Sequence, residues 1–210
     1  MNKTLKGVIA VILSLITLCV LYYGSYLPFK KSRAFISTLR ELGAAKSFQE
    51  FTEKLSVPLD MPSPIGQEEL VRNAGSAVLN IVIGNGANNP ALVAAAVKYL
   101  EDYYSPIIES GSGMSFEQNL YILGLVNQVA FEHTRDPRYF DAAKRYYSQG
   151  LALGPRRPQF LYGIFDIYRV EGNLEKVRET ANQILAQWPG DEKIRKFLEE
   201  LEKGQGQNTE

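Results

Sequence analysis

Few side chains in these 210 residues have the type and spacing that catalysis needs. There is one histidine, His133, and one cysteine, Cys19. Together they cannot supply a Cys/His zinc site, a disulfide or a histidine-activated nucleophile within the chain. Two pairs of adjacent carboxylates, Glu101-Asp102 and Glu199-Glu200, fall in helical stretches. Neighbours on a helix point about 100° apart, so neither pair converges as acid and base. Gly84-Asn85-Gly86 and Gly111-Ser112-Gly113 lack the Lys and following Ser/Thr of a phosphate loop and read as turns. His133 ends a predicted helix, where a cation favours the C-terminal dipole. Non-enzymatic work is therefore expected, with no cofactor and no metal.

Charge narrows the partners. Lys+Arg and Asp+Glu both number 23, so no net positive field draws in nucleic acid. The 12 tyrosines and 10 phenylalanines are more informative. Tyr103-Tyr104, Tyr146-Tyr147, Tyr162 and Tyr168 can bury a ring while keeping the hydroxyl wet, and core packing is the expected use of most of them.

The elements that must carry these residues begin with an apolar leader. From Gly7 to Phe29, 23 consecutive residues carry no charge. As a helix, Gly7 to Leu27 spans about 31 Å, matching a hydrocarbon core of about 30 Å. Tyr22, Tyr23 and Tyr26 stand where an aromatic belt belongs, and Pro28 closes the apolar stretch. No pair of small residues at signal-peptidase spacing follows, and Leu18 precedes Cys19 where a lipoprotein signal has a small residue, so an uncleaved single-pass anchor is expected over residues 1–30. Lys3 and Lys6 on one flank nearly balance Lys30, Lys31, Arg33 and Arg40 on the other, leaving orientation open.

Beyond the leader, apolar residues recur at three and four, and the remainder reads as all-α. Residues 31–64 are expected to hold juxtamembrane helices and a Pro-rich connector: a helix over 32–45, a helix capped by Ser47 with Glu50 completing a capping box, then an extended Val57–Pro64 holding Pro58, Pro62 and Pro64. The domain proper is expected at 65–203. Its helices run from Gly66 to Ile83, from Pro90 to Tyr104 with Pro106 kinking or ending it, and from a Ser115 cap to His133. Asp136-Pro137 then leads to Leu153, followed by Pro158–Glu171, Leu174–Trp188 and a last helix after Pro189 to about Lys203. A disordered tail is expected over 204–210.

Pro155 and Pro189 stand 34 residues apart. Counted from Pro158, Leu161, Ile164, Tyr168, Gly172, Asn173, Leu174, Leu185 and Pro189 occupy positions 4, 7, 11, 15, 16, 17, 28 and 32. This resembles a tetratricopeptide repeat (TPR), divergent at Phe165 and Val177, where the pattern prefers small residues. Ala143, Tyr147, Leu151 and Pro155 match the second helix of a preceding unit. The resemblance implies a TPR-like α-solenoid of about three hairpins whose first helices line a concave face. On this register Gln159, Tyr162, Asp166 and Arg169 point there, with Tyr121 and Gln128 as neighbours, and a protein or peptide segment is the implied partner. The Lys/Asn clamp for a peptide carboxylate is absent at those positions.

The Leu151–Gln159 run, the Phe48–Leu55 helix and the Pro64–Glu69 connector are similar to the C-terminal TPR region of bacterial O-antigen ligase/polymerase-like membrane proteins. The glycosyl-transfer bundle of that family is not in this sequence. The resemblance implies an accessory to envelope glycan assembly or export, with the soluble part outside the cytoplasm. The alternatives it leaves open are a subunit of a split ligase/polymerase and a structural assembly factor.

Overall fold

The computed structural model describes residues 3–206, and every regular element among them is helical. Two compact units divide inside a helix, at Ala74/Gly75, past the connector at which the sequence places the domain boundary.

In the N-terminal unit, α1 (Lys3–Leu21) passes through a π-helical turn (Tyr22–Tyr26) into α2 (Leu27–Glu41) and a 3-10 turn (Leu42–Ala44). The helical path is continuous for 42 residues, about 63 Å and twice a hydrocarbon core. Its apolar window is wholly exposed within the unit, as a lipid-facing surface would be. Pro28 does not interrupt this path. The Leu27 N–H donates to the Tyr22 carbonyl across the wide π turn, so the ladder is already widened where proline brings no N–H of its own.

Helix α3 (Phe48–Leu59) is capped by Ser47 as expected, while Glu50 reaches back one residue beyond the cap. The Ser47 hydroxyl accepts from the Glu50 N–H at 3.1 Å, and the Glu50 carboxylate accepts from the Lys46 N–H at 2.9 Å. Its end corrects the expectation of an extended Val57–Pro64, because the helix continues through Pro58 to Leu59. A proline in the last turn forfeits a single ladder bond. The turn is also closed from outside: the Lys31 ammonium donates to the carbonyls of Leu59 (2.9 Å) and Met61 (2.6 Å) and to the Gln67 side-chain oxygen. Three donors thus meet three acceptors beside the negative end of α3. Lys31, only 3% exposed, packs with Phe35 one turn on, while α3 buries Phe51, Leu55 and Leu59.

The C-terminal unit takes up the second half of α4 (Gln67–Asn85), then α5 (Pro90–Ser110), α6 (Phe116–Thr134), α7 (Pro137–Leu153), α8 (Pro158–Val170), α9 (Leu174–Gln187) and α10 (Glu192–Gly206). Starts are set by side-chain caps from Asn89, Asp136 and Asn173, with proline at the first helical position of α5, α7 and α8. Ser115 stands at the start of α6 but its hydroxyl makes no capping bond. Pro106 neither ends α5 nor prevents Tyr104 and Ile107 on either side of it from being buried. Gly111 and Gly172 turn the chain after α5 and α8 with φ of +65° and +68°, the left-handed region glycine enters without a Cβ penalty. The final helix reaches Gly206, so residues 204–206 are helical and not part of a disordered tail; residues 207–210 of that tail lie outside the described residues.

From α5 onward each helix packs on the next, and α6 also meets α8. The α6–α8 approach depends on two glycines. A Cβ on Gly124 would lie 2.5 Å from the Tyr147 ring and one on Gly163 2.7 Å from it. The ring of Tyr147, 1% exposed, therefore fills the space that both glycines leave. At the C-terminal end Leu161, Phe165, Val177, Ala181, Ile184 and Ile194 form one core cluster. The bulky Phe165 and Val177 are buried there, Phe165 edge-on to Phe197 of α10 at 5.3 Å.

Candidate functional site

A groove of about 560 Å³ opens among α6, α8, α9 and α10. Helix α6 contributes Gln128 and Glu132, one turn apart. Helix α8 contributes Asp166, Arg169 and Val170, α10 contributes Lys193 and Phe197, and Leu174 and Val177 come from α9. Three side chains expected from the sequence, Gln128, Asp166 and Arg169, are thus brought together.

Each is held by a neighbour. The Tyr147 hydroxyl, reaching through the core from α7, donates to Gln128 Oε1 at 2.8 Å, and Gln128 Nε2 donates to Glu132 Oε1 at 3.2 Å. Burial pushes the Tyr147 phenol far above its ordinary pKa, so it stays a neutral donor. Arg169 Nη1 pairs with Asp166 Oδ1 at 2.8 Å, and its guanidinium lies 4.9 Å from the Phe197 ring centroid and 5.7 Å from that of Phe165. A flat cation stacked on two rings presents fixed donors to the groove. Glu132 and Asp166 balance Arg169 and Lys193, while Val170, Leu174 and Phe197 supply apolar wall. The lining thus brings hydrogen-bonding, charged and apolar side chains into one concavity.

The other expected residues are used differently. Tyr162 turns to the α9–α10 side, where its ring packs 6.3 Å from Trp188 and its hydroxyl donates to the Asp191 carboxylate. Burial, then that bond, raises the phenol pKa to about 12, and the Tyr162 hydroxyl, with the Ile194 N–H, holds the Asp191 carboxyl below its usual range. Tyr121 is half-buried, its ring edge-on to Phe160 at 6.2 Å. Gln159 is half-buried at the start of α8 and does not line the groove. His133 sits in the last turn of α6, its ring 2.7 Å from where a Cβ on Gly86 would be.

Lys193 and Phe197 were not anticipated. A signal for Lys193 existed, because a 34-residue shift maps Gln159 onto it, carrying the register from α8 to α10. A larger hollow, about 700 Å³, lies between the α7–α8 turn and α9, lined by Pro155, Arg156, Gln183 and Trp188. It gathers none of the expected residues and no alternate-helix pattern, so the α6–α8–α10 groove is the better candidate. Among the described residues no group of three His, Cys, Asp or Glu is placed to hold a metal ion. No family model, no curated protein and no solved structure matches the chain.

Proposed function

We propose that the chain is a single-pass membrane protein whose C-terminal unit is a TPR-like helical stack that binds a segment of a partner protein. The observation that carries this reading is the groove itself: α6, α8 and α10, every second helix, each contribute two or more side chains, all of its charged ones among them, to one concavity that Leu174 and Val177 of α9 also line. Alternation of that kind is what a solenoid of hairpins produces, since first helices face one way and second helices the other. The apolar, fully exposed helix at the N-terminus supports the anchor. Confinement to the bilayer plane raises the effective concentration of other membrane proteins, so a groove of modest affinity suffices. Envelope glycan assembly or export is the proposed setting, resting on the sequence resemblance alone.

The reading is tested by quantifying proteins that co-purify with the solubilised full chain. Arg169→Ala combined with Lys193→Ala removes both groove cations, and truncating charged contacts at an interface typically costs about 2 kcal/mol or more, roughly 30-fold in affinity. At least one partner should be lost from that variant and kept by Gln183→Ala, which alters the other hollow. Equal recovery by all three proteins contradicts the proposal.

A further inference from the structure

The capture of Lys31 splits α2 into two faces. Lys31 and Phe35 are buried, whereas Tyr26, Phe29, Lys30, Arg33 and Ser37 are exposed. At about 100° per residue these five centre on the side of the helix opposite Lys31 and Phe35. With Ala34 they frame a hollow of about 370 Å³.

We infer that this face of α2 is a binding site for anionic phospholipid headgroups, an inference that rests on α1 crossing the bilayer. Depth supports it first. Lys30 and Arg33 are three and six residues beyond Leu27, about 4.5 and 9 Å along the axis. The headgroup layer is about 5–7 Å thick on each side of the hydrocarbon, and both long stems can reach back toward lipid phosphates. Chemistry supports it next. Among the described residues neither Lys30 nor Arg33 has an ion-pair partner within the protein, while their neighbour Lys31 is fully engaged by protein oxygens. The Tyr26 hydroxyl adds a donor, and Phe29 offers a ring to the glycerol and acyl region. The carboxylate further along, Glu41, already accepts from the Ser37 hydroxyl at 3.4 Å. A second copy is the poorer occupant, because a two-fold pairing of this face sets Lys30 and Arg33 against their own copies.

The full chain, purified and delipidated in detergent, is titrated with phosphatidylglycerol or phosphatidylcholine and the bound lipid is read by native mass spectrometry. Two cations at about 1 kcal/mol each give a preference for phosphatidylglycerol of roughly 30-fold. Lys30→Gln with Arg33→Gln should reduce it to near parity. Arg40→Gln, on the same side but about 20 Å beyond Leu27, should retain it. No preference in the parent, a preference that survives the double substitution, or an equal loss in Arg40→Gln overturns the site. Alkaline extraction from phosphatidylcholine vesicles separates this from the anchor: protein released by carbonate sinks the anchor and the site with it, whereas protein retained without lipid preference sinks the site alone.

Discussion

Adding a single methyl at Gly163 tests the packing that lets α6 and α8 approach. The new Cβ would stand 2.7 Å from Cε1 and Cζ of Tyr147, about 0.7 Å inside the 3.4 Å at which ordinary van der Waals contact begins. The ring has nowhere to go: its other face meets Gly124 at a similar distance, it is buried, and its hydroxyl is held by Gln128. Overpacking of this kind costs about 1–3 kcal/mol. Alanine also gains about 1 kcal/mol of helix propensity over glycine, which hides part of that cost. Gly84→Ala removes the ambiguity, because Gly84 lies in α4 with open space around its Cβ position. Gly84 lies in the last turn of α4, so its propensity gain does not exceed that at Gly163 and a lower melting Gly163→Ala protein must reflect the clash. Gly84→Ala should raise the melting temperature of the full chain in detergent, followed by far-UV circular dichroism. Gly163→Ala should melt lower than Gly84→Ala by 1–3 kcal/mol, about 2–12 °C for a chain of this size. In a Tyr147→Ala background the clash is gone, and Gly163→Ala should become neutral or stabilising. A Gly163→Ala protein that melts with or above Gly84→Ala would refute the packing described.

Three further outcomes follow from the same geometry. Lys31→Met keeps the stem but leaves the Leu59 and Met61 carbonyls and the Gln67 side chain without their donor, and should cost roughly 2–4 kcal/mol in thermal unfolding, against a change within about 0.5 kcal/mol for exposed Lys30→Met. Gly172→Val places a branched side chain at a φ of +68° and should destabilise by about 1–2 kcal/mol through the backbone alone, since no atom crowds that position; an unchanged melting temperature contradicts the turn. The Asp191 carboxyl is lowered by its bond from Tyr162, so its contribution is present above its unfolded pKa near 4 and fades as pH falls through the lower folded value, while Tyr162, raised to about 12, contributes fully below about pH 10 and loses its share as pH rises through about 12. Tyr162→Phe should therefore lie below the parent in denaturant stability near neutral pH, with the gap narrowing at both extremes; a gap constant with pH denies the bond.

What the sequence made legible was local. Ser47 with Glu50, Asn89 before Pro90, Asp136 before Pro137 and Asn173 after Gly172 each start a helix within a few residues, and the π turn before Pro28 remains inside the long apolar helix. What escaped depends on distant partners. Lys31 looked like a flanking charge because its three acceptors lie 28 to 36 residues away, and the same contact sustains the end of α3 beyond Pro58. Tyr162 shares a helix face with Asp166 in the register, yet Asp191, from the α9–α10 turn, draws its hydroxyl to the other side. Gln128 and Arg169 line one concavity because α6 and α8 are held close by Tyr147 between Gly124 and Gly163, a relation that spacing along one helix does not encode. Phe197 had no signal beyond the amphipathic pattern of α10.

The claim on which the account stands is that three alternate helices present one binding surface from a membrane-tethered chain. Photo-crosslinking amino acids placed singly at Gln128, Asp166 and Lys193, and at exposed Glu179 on α9, measure this directly in intact cells. The account predicts that the three groove positions, each on a different helix, give the same membrane-associated adduct and that Glu179 gives none. Different adducts from the three, or an adduct from Glu179 alone, would contradict it.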